Sequence, residues 1–295
     1  MHKAGKEMRK TLPGVDVVIE ILDARIPASS ENPLLAQLRG DKPCIKILNK
    51  CDLADAAQTR GWQDWLERER SVRSLALSMS QPAGVQRIPD LCRKMARQRA
   101  DSGKTVTAMV IGIPNVGKST LINTLSGRTI AKTGNEPAIT RGQQRIELAP
   151  DLLLLDTPGM LWPNVENRHS GFRLAITGAI KDTALTHDEV AFYAVEYLRR
   201  AYPERLKTRY ALAQLPDTDD ELMELIGQRR GCLRRGGSVD LDKVAKILLN
   251  DIRSGQLGGL TWETPSMIAT EMALVAEERR KKQAKREAKK RRKAK

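Results

Sequence analysis

The residues best suited to chemistry are the run Gly112-Ile113-Pro114-Asn115-Val116-Gly117-Lys118-Ser119, which reads G-x-x-x-x-G-K-S. In such a loop the two glycines let the backbone bend, so that successive N–H groups cup a diphosphate at a helix N-terminus. Lys118 then reaches the outer phosphates, and Ser119 ligates the magnesium ion that travels with them. Asn115, Val116, Gly117, Lys118, Ser119 and Thr120 are therefore the expected contacts to a nucleotide. Further along, Leu152-Leu153-Leu154-Leu155 ends in Asp156-Thr157-Pro158-Gly159. This puts an acid at the carboxyl end of a buried strand, where magnesium and a terminal phosphate would sit. Asp156 is the expected magnesium partner one layer beyond the ion's direct ligands. The N–H of Gly159 is placed to sense the terminal phosphate, which makes Gly159 and Lys118 candidate catalytic groups.

A second motif, Asn49-Lys50-Cys51-Asp52, follows the strand-like run Cys44-Ile45-Lys46-Ile47-Leu48. A carboxylate at Asp52 can accept two hydrogen bonds from the N–H and amino groups of guanine, which adenine does not offer, so a site of this kind rejects ATP. Ser78-Met79, after the apolar stretch 72–77, falls where a small loop would offer backbone N–H groups to the guanine oxygen. The base motif precedes the phosphate loop, the reverse of the usual order, and this order is that of a circularly permuted GTPase. Two other functions fit parts of the pattern. A P-loop ATPase or small-molecule kinase would use the loop at 112–119 without the motif at 49–52, and an RNA-binding scaffold would bind nucleotide with little turnover.

Taken together, these motifs resemble those of the circularly permuted ribosome biogenesis GTPases, most closely the ribosome biogenesis GTPase A group. The resemblance rests on Asp23-Ala24-Arg25-Ile26-Pro27, Asn49 to Asp52, Gly112 to Ser119, Thr140 within Ala138-Ile139-Thr140-Arg141, and Asp156 to Gly159, all in the family's order. It implies hydrolysis of GTP to GDP, coupled to late maturation of the large ribosomal subunit. It also implies that Thr140 lies in a switch segment, contacting magnesium and the terminal phosphate, and that Asn115 helps to hold an activating potassium ion. The sequence departs from common GTPases at Met160, where many have the Gln that orients the attacking water. A thioether cannot do that. The family uses instead a His in an N-terminal Pro-Gly-His segment, and this sequence begins Met1-His2-Lys3-Ala4, so the expectation is that this His lies outside it. Unassisted hydrolysis should then be slow, ~10⁻⁴ s⁻¹ or below, and stimulated by the large subunit and potassium.

Positioning these motifs requires a sheet. Apolar runs at 15–22, 44–48, 72–77, 106–111 and 152–155 alternate with helical patterns at 32–38, 85–97 and 119–125, the pattern of a mostly parallel sheet covered by helices on both faces. At 295 residues the chain has room for two domains. The expected division is a permuted GTPase domain at 1–163, a smaller all-helical RNA- or ribosome-binding domain at 164–276, and a disordered or helical basic tail at 277–295. Thr186-His187-Asp188-Glu189 is a capping box opening one C-terminal helix, and 240–254 carries Leu241, Val244, Leu248 and Ile252 at helical spacing with Gly255 as its stop. The strand ending at Asp156 soon leads into this helical region, a route by which nucleotide state could reach it.

Charge points to the partner. The chain has a net charge of +15, and 277–295 holds twelve Lys or Arg against three Glu. Such a segment suits contact with phosphates. With aromatics at only 3% of residues, salt-sensitive backbone contact is favoured over base stacking. Gly231-Cys232-Leu233-Arg234-Arg235-Gly236-Gly237 is a basic loop between two helices, either a connector or a contact to RNA backbone. The four cysteines form no C-x-x-C pair, and the apolar runs are short and broken by charge. Reduced thiols in the cytoplasm, no membrane insertion and a monomeric chain are the expectation.

Overall fold

The computed structural model describes residues 8–130, 144–159, 161, 167–180 and 185–293. Its centre is a six-stranded sheet with the strands β1 (Val17–Asp23), β2 (Cys44–Asn49), β3 (Val72–Leu77), β4 (Val106–Gly112), β5 (Gln144–Ala149) and β6 (Leu152–Asp156), in the order β3-β2-β1-β4-β6-β5. All neighbours are parallel except β5, which runs antiparallel to β6. Every residue of β1 and β2 is buried, so both read as mostly apolar runs rather than alternating ones, interrupted by Glu20 and Lys46, which face each other at 3.8 Å. β5 gives no such signal. It is an edge strand, and of Gln-Arg-Ile-Glu-Leu-Ala only Ile146 is buried.

Successive residues of a strand point to opposite faces, and the core divides accordingly. Val17, Ile19, Ile21, Ile45 and Ile47 belong to one cluster; Val18, Leu22, Cys44, Leu48 and Met109 belong to the other. The second face is covered by α2 (Pro33–Arg39) and α3 (Ala56–Leu66), which follow a short α1 (Pro27–Ser30) and supply Leu35, Trp62 and Leu66. The first face is covered by α4 (Ile88–Met95), α5 (Arg97–Asp101) and α6 (Lys118–Ser126). The helical pattern expected over 85–97 is divided here between a 3-10 turn at 82–87, α4 and α5. Pro89 sits in the first turn of α4, where a proline stops the preceding turn from continuing as one helix.

Beyond the sheet the described chain is helical: α7 (Arg168–Ile176), α8 (His187–Ala201), α9 (Pro203–Tyr210), α10 (Asp219–Arg229), α11 (Leu241–Arg253) and α12 (Pro265–Lys293). Thr186 and Glu189 close the capping box at the start of α8, and Thr218 and Glu221 close another at α10. The apolar faces of α7 to α11 join the same cluster as the first sheet face, so no polar gap divides the helices from the sheet. Between α11 and α12 an extended segment returns to the sheet domain with Leu260, Thr261, Trp262 and Glu263 buried. Leu260 N donates to Leu53 O at 2.9 Å, and Trp262 N donates to Arg25 O at 2.8 Å. Trp62 Nε1 donates to Glu263 O at 3.0 Å. Among the described residues no helix is long and apolar enough to cross a membrane.

Candidate active site

Because the strands are parallel, their carboxyl ends gather along one edge of the sheet, where open α/β sheets bind ligands. Asp23, Asn49 and Leu77 are register partners at that edge, Ile21 pairs with Gly112, and Val110 pairs with Asp156. The motifs at 49–52, 78–79, 112–119 and 156–159 are thereby placed side by side although far apart in sequence.

The phosphate loop has the backbone its residues foretell. A Cβ at Gly112 would lie 2.7 Å from Ile21 O, and one at Gly117 (φ 101°) would run into the side-chain amide of Asn49. Asn115 takes a left-handed conformation with φ 61°, which Asn tolerates better than most residues. Lys118 opens α6 and is only 9% exposed. Burial pushes its ammonium down to about 8, against the attraction of Asp156. Its Nζ donates to Ile113 O at 3.4 Å. Ser119 is half-buried, Thr120 is exposed and Val116 is buried. Asp156 is 1% exposed. Gly159 lies against the loop: a Cβ there would be 2.8 Å from Lys118 Nζ and 3.2 Å from Pro114 N.

On the base side, Asn49 Nδ2 donates to Val116 O at 2.6 Å. This one bond joins the strand end carrying 49–52 to the phosphate loop, across 67 positions of sequence. Lys50 takes a left-handed conformation with φ 61°, turning the chain into a 3-10 turn at Cys51–Leu53, which leaves Asp52 exposed and Cys51 half-buried. Burial and the neighbouring Asp52 raise the Cys51 thiol. Ser78, at the end of β3, is buried and its hydroxyl pairs with Ser80 Oγ at 2.6 Å; Met79 packs partly on the core. Thr140 and Met160 lie outside the described residues.

A third layer of the site comes from the Asp23–Pro27 stretch at the end of β1. Arg25 Nε and Nη2 grip the Asp23 carboxylate at 2.9 and 2.7 Å, and Lys50 Nζ donates to the same carboxylate at 3.0 Å. Burial alone would raise Asp23, but the Arg25 guanidinium and the Lys50 ammonium outweigh it and hold the carboxyl far below the usual carboxylate range. The lysine of the base motif is thus steered by a buried ion pair. Arg25 also reaches the helical region, donating to Thr177 O at 3.3 Å. Asn115 of the phosphate loop does likewise to Gly178 O at 3.4 Å. Both acceptors sit at the end of α7, whose carbonyls at Ala175 and Ile176 accept from Arg253 at 2.8 and 3.0 Å. A helix leaves its last carbonyls without intrahelical donors, and here Arg25 after β1, Asn115 of the phosphate loop and Arg253 of α11 supply donors to that end. The sequence carried these residues as part of the Asp23-Ala24-Arg25-Ile26-Pro27 stretch on which the resemblance rests, without assigning a partner to either charge.

Comparison with known proteins accords with this geometry. Residues 107–216 match a family model described as 50S ribosome-binding GTPase. The chain is 44% identical over 272 residues to the ribosome biogenesis GTPase A of Bacillus pumilus, covering 90% of this chain and 96% of that protein. It is 34% identical over 281 residues to the mitochondrial ribosome-associated GTPase 1 of Mus musculus, covering 88% and 86% of the two. Among solved structures, the fold is similar to that of GNP-bound YlqF from T. maritima, with a TM-score of 0.60 at 24% identity over 89% of this chain and 98% of that one.

Proposed function

The chain belongs to the ribosome biogenesis GTPase A family, and from that premise we propose that it binds GTP, hydrolyses it to GDP and phosphate, and acts in maturation of the large ribosomal subunit through contacts to RNA and ribosomal proteins. The observation that supports the reading is the hydrogen bond from Asn49 Nδ2 to Val116 O, which ties the segment at 49–52 to the loop at 112–119. In this proposal Asp52 accepts from the guanine edge, with Lys50, Cys51, Ser78 and Met79 framing the base. Residues 115–120 cup the phosphates. Lys118 balances charge on the outer phosphates, and the N–H of Gly159 approaches the terminal one.

The donors on the protein side suit magnesium. Ser119 offers a hydroxyl as a hard oxygen ligand, and Asp156 offers a buried carboxylate just beyond the direct ligands. The ion, when bound, neutralises charge on the phosphates. Thr140 is assigned to the same ion by resemblance. Asn115, whose Nδ2 donates to Gly178 O, is assigned to a potassium ion by resemblance. The water-orienting group is supplied or ordered by the large subunit, so that hydrolysis is slow without it. The protein works as a monomer in the cytoplasm.

Two measurements test this together. GTP should bind at least about a hundredfold more tightly than ATP, and Asp52→Asn should erase the preference because Asn presents a donor where guanine also donates. Multiple-turnover hydrolysis in potassium buffer should rise on adding purified large subunits. Equal affinity for ATP, or no stimulation by subunits, would defeat the proposal.

A further inference from the structure

The loop at 231–237 carries more than a connection between α10 and α11. α10 ends in a Schellman motif: Gly231 (φ 66°) N donates to Gln228 O at 3.2 Å and Cys232 N to Gly227 O at 2.8 Å, with Cys232 buried. The chain then forms a small hairpin. Leu233 bridges Val239, Arg234 N donates to Ser238 O at 2.9 Å, and Asp240 N donates to Cys232 O at 2.7 Å before Asp240 caps α11. Gly236 and Gly237, at φ 103° and 87°, turn the tip. Val239 is seated against Gly227 inside α10 so closely that a Cβ at Gly227 would collide with it. The hairpin is therefore fixed at both feet and along one side.

What it presents is unusual for a surface turn. Arg229, Arg230, Arg234 and Arg235 are all exposed, and Leu233 stands among them at 52% exposure. No acidic residue occurs from 228 to 239; Asp240, at the foot, takes Arg234 at 3.2 Å. Four exposed arginines and one exposed leucine within positions 229–235, on a backbone already ordered, suit a ligand with repeated phosphates beside sugar and base edges. Planar guanidinium groups bind phosphate oxygens in bidentate fashion. An ordered backbone avoids the entropy cost of fixing a flexible basic segment on binding.

We propose that the hairpin 231–239, with Arg229 and Arg230 at its foot, is a preformed contact for folded RNA, its arginines on the phosphates and Leu233 against the shallow minor groove. The proposal rests on the ribosomal reading above, and it assigns RNA contact to a place distinct from the basic tail. The test uses the full chain, with a fluorescent RNA stem-loop of about twenty base pairs followed by anisotropy over a salt series. Arg230→Glu with Arg235→Glu, which leaves the Arg234–Asp240 pair in place, should weaken binding about tenfold or more and reduce the slope of log affinity against log salt by roughly 1.5. GDP affinity, measured on the same variant, should be unchanged. A photocrosslinking residue at position 233 should label RNA in purified large subunits. An unchanged affinity and slope in the double variant, or crosslinks to ribosomal protein alone, would overturn the hairpin's role while leaving the GTPase reading standing. Failure of the unaltered protein to bind either the stem-loop or large subunits would remove the ribosomal reading itself.

Discussion

Lys118 shows how a residue's chemistry depends on where it is put. As a motif letter it is a permanent cation; in the folded chain, burial brings its ammonium down to about 8, and Asp156 offsets this only in part. Nucleotide phosphates would restore the charge, so the free and bound forms hold this proton differently. Affinity for GDP should be level below about pH 8 and fall above it, by up to about tenfold per pH unit, because binding must then recover the proton. Lys118→Met should bind weakly and lose this dependence, whereas a flat profile to about pH 9.5 in the unaltered protein would contradict the assignment. The sign for folding is opposite. The unfolded lysine keeps its proton up to about 10.5, so between about 8 and 10.5 the unfolded state holds more protons and rising pH favours the folded, nucleotide-free protein as far as this group is concerned. Asp23 has the same sign in a more acidic window. Its depressed carboxyl contributes stability above the ordinary carboxylate range, 3.8 when unfolded, and that contribution is lost as pH falls below it.

At the scale of elements, α10 contains a glycine that helix propensity argues against. Gly227→Ala in an unencumbered helix would gain about 1 kcal/mol. Here the new Cβ would collide with Val239 and come within 2.8 Å of Val244 Cγ2, and overpacking of a well-filled contact costs about 1–3 kcal/mol. The clash wins, so urea denaturation should show a net loss, and Val239→Ala in the same chain should convert that loss toward a gain through non-additive coupling. Additive effects of the two substitutions would show that the close packing is not what holds the glycine there. Elements differed in how far they could be read in advance. Thr186 with Glu189 and the stripe 241–252 declared their helices because capping and 3.6-residue periodicity are local properties. β5 did not, since its strand identity comes from hydrogen bonds to β6 and not from any apolar pattern of its own.

For the whole molecule, the extended segment at 260–263 and the buried Arg173 make one body of sheet and helices. Arg173 pairs with Glu271 at 2.6 Å, lies 3.4 Å from Glu263, and donates to Trp262 O at 3.0 Å. These contacts anchor the start of α12 near the sheet domain, from which the helix extends for roughly 44 Å at 1.5 Å per residue. Residues 276–287 are exposed along it. The basic tail is thus a projecting arm with a fixed root. Removing 277–295 should leave nucleotide affinity intact, weaken binding to large subunits and flatten its salt dependence by about 0.7 to 0.9 for each phosphate the arm no longer neutralises. An unchanged slope would show that the arm does not touch RNA.

The amino-acid sequence determined where the candidate loop motifs lie and that a mostly parallel sheet must carry them, because loop motifs, capping and runs of buried strand are written in neighbouring residues. The order of the motifs along the chain likewise declared the permutation. Only the tertiary structure decided that Asn49 would hold Val116, that Asp23 would be shared by Arg25 and Lys50, and that the last carbonyls of α7 would be satisfied from the nucleotide site. Those bonds join residues that lie 27 to 152 positions apart, apart from the close Arg25–Asp23 pair. What selects them is the burial of polar groups that must find partners wherever folding leaves them.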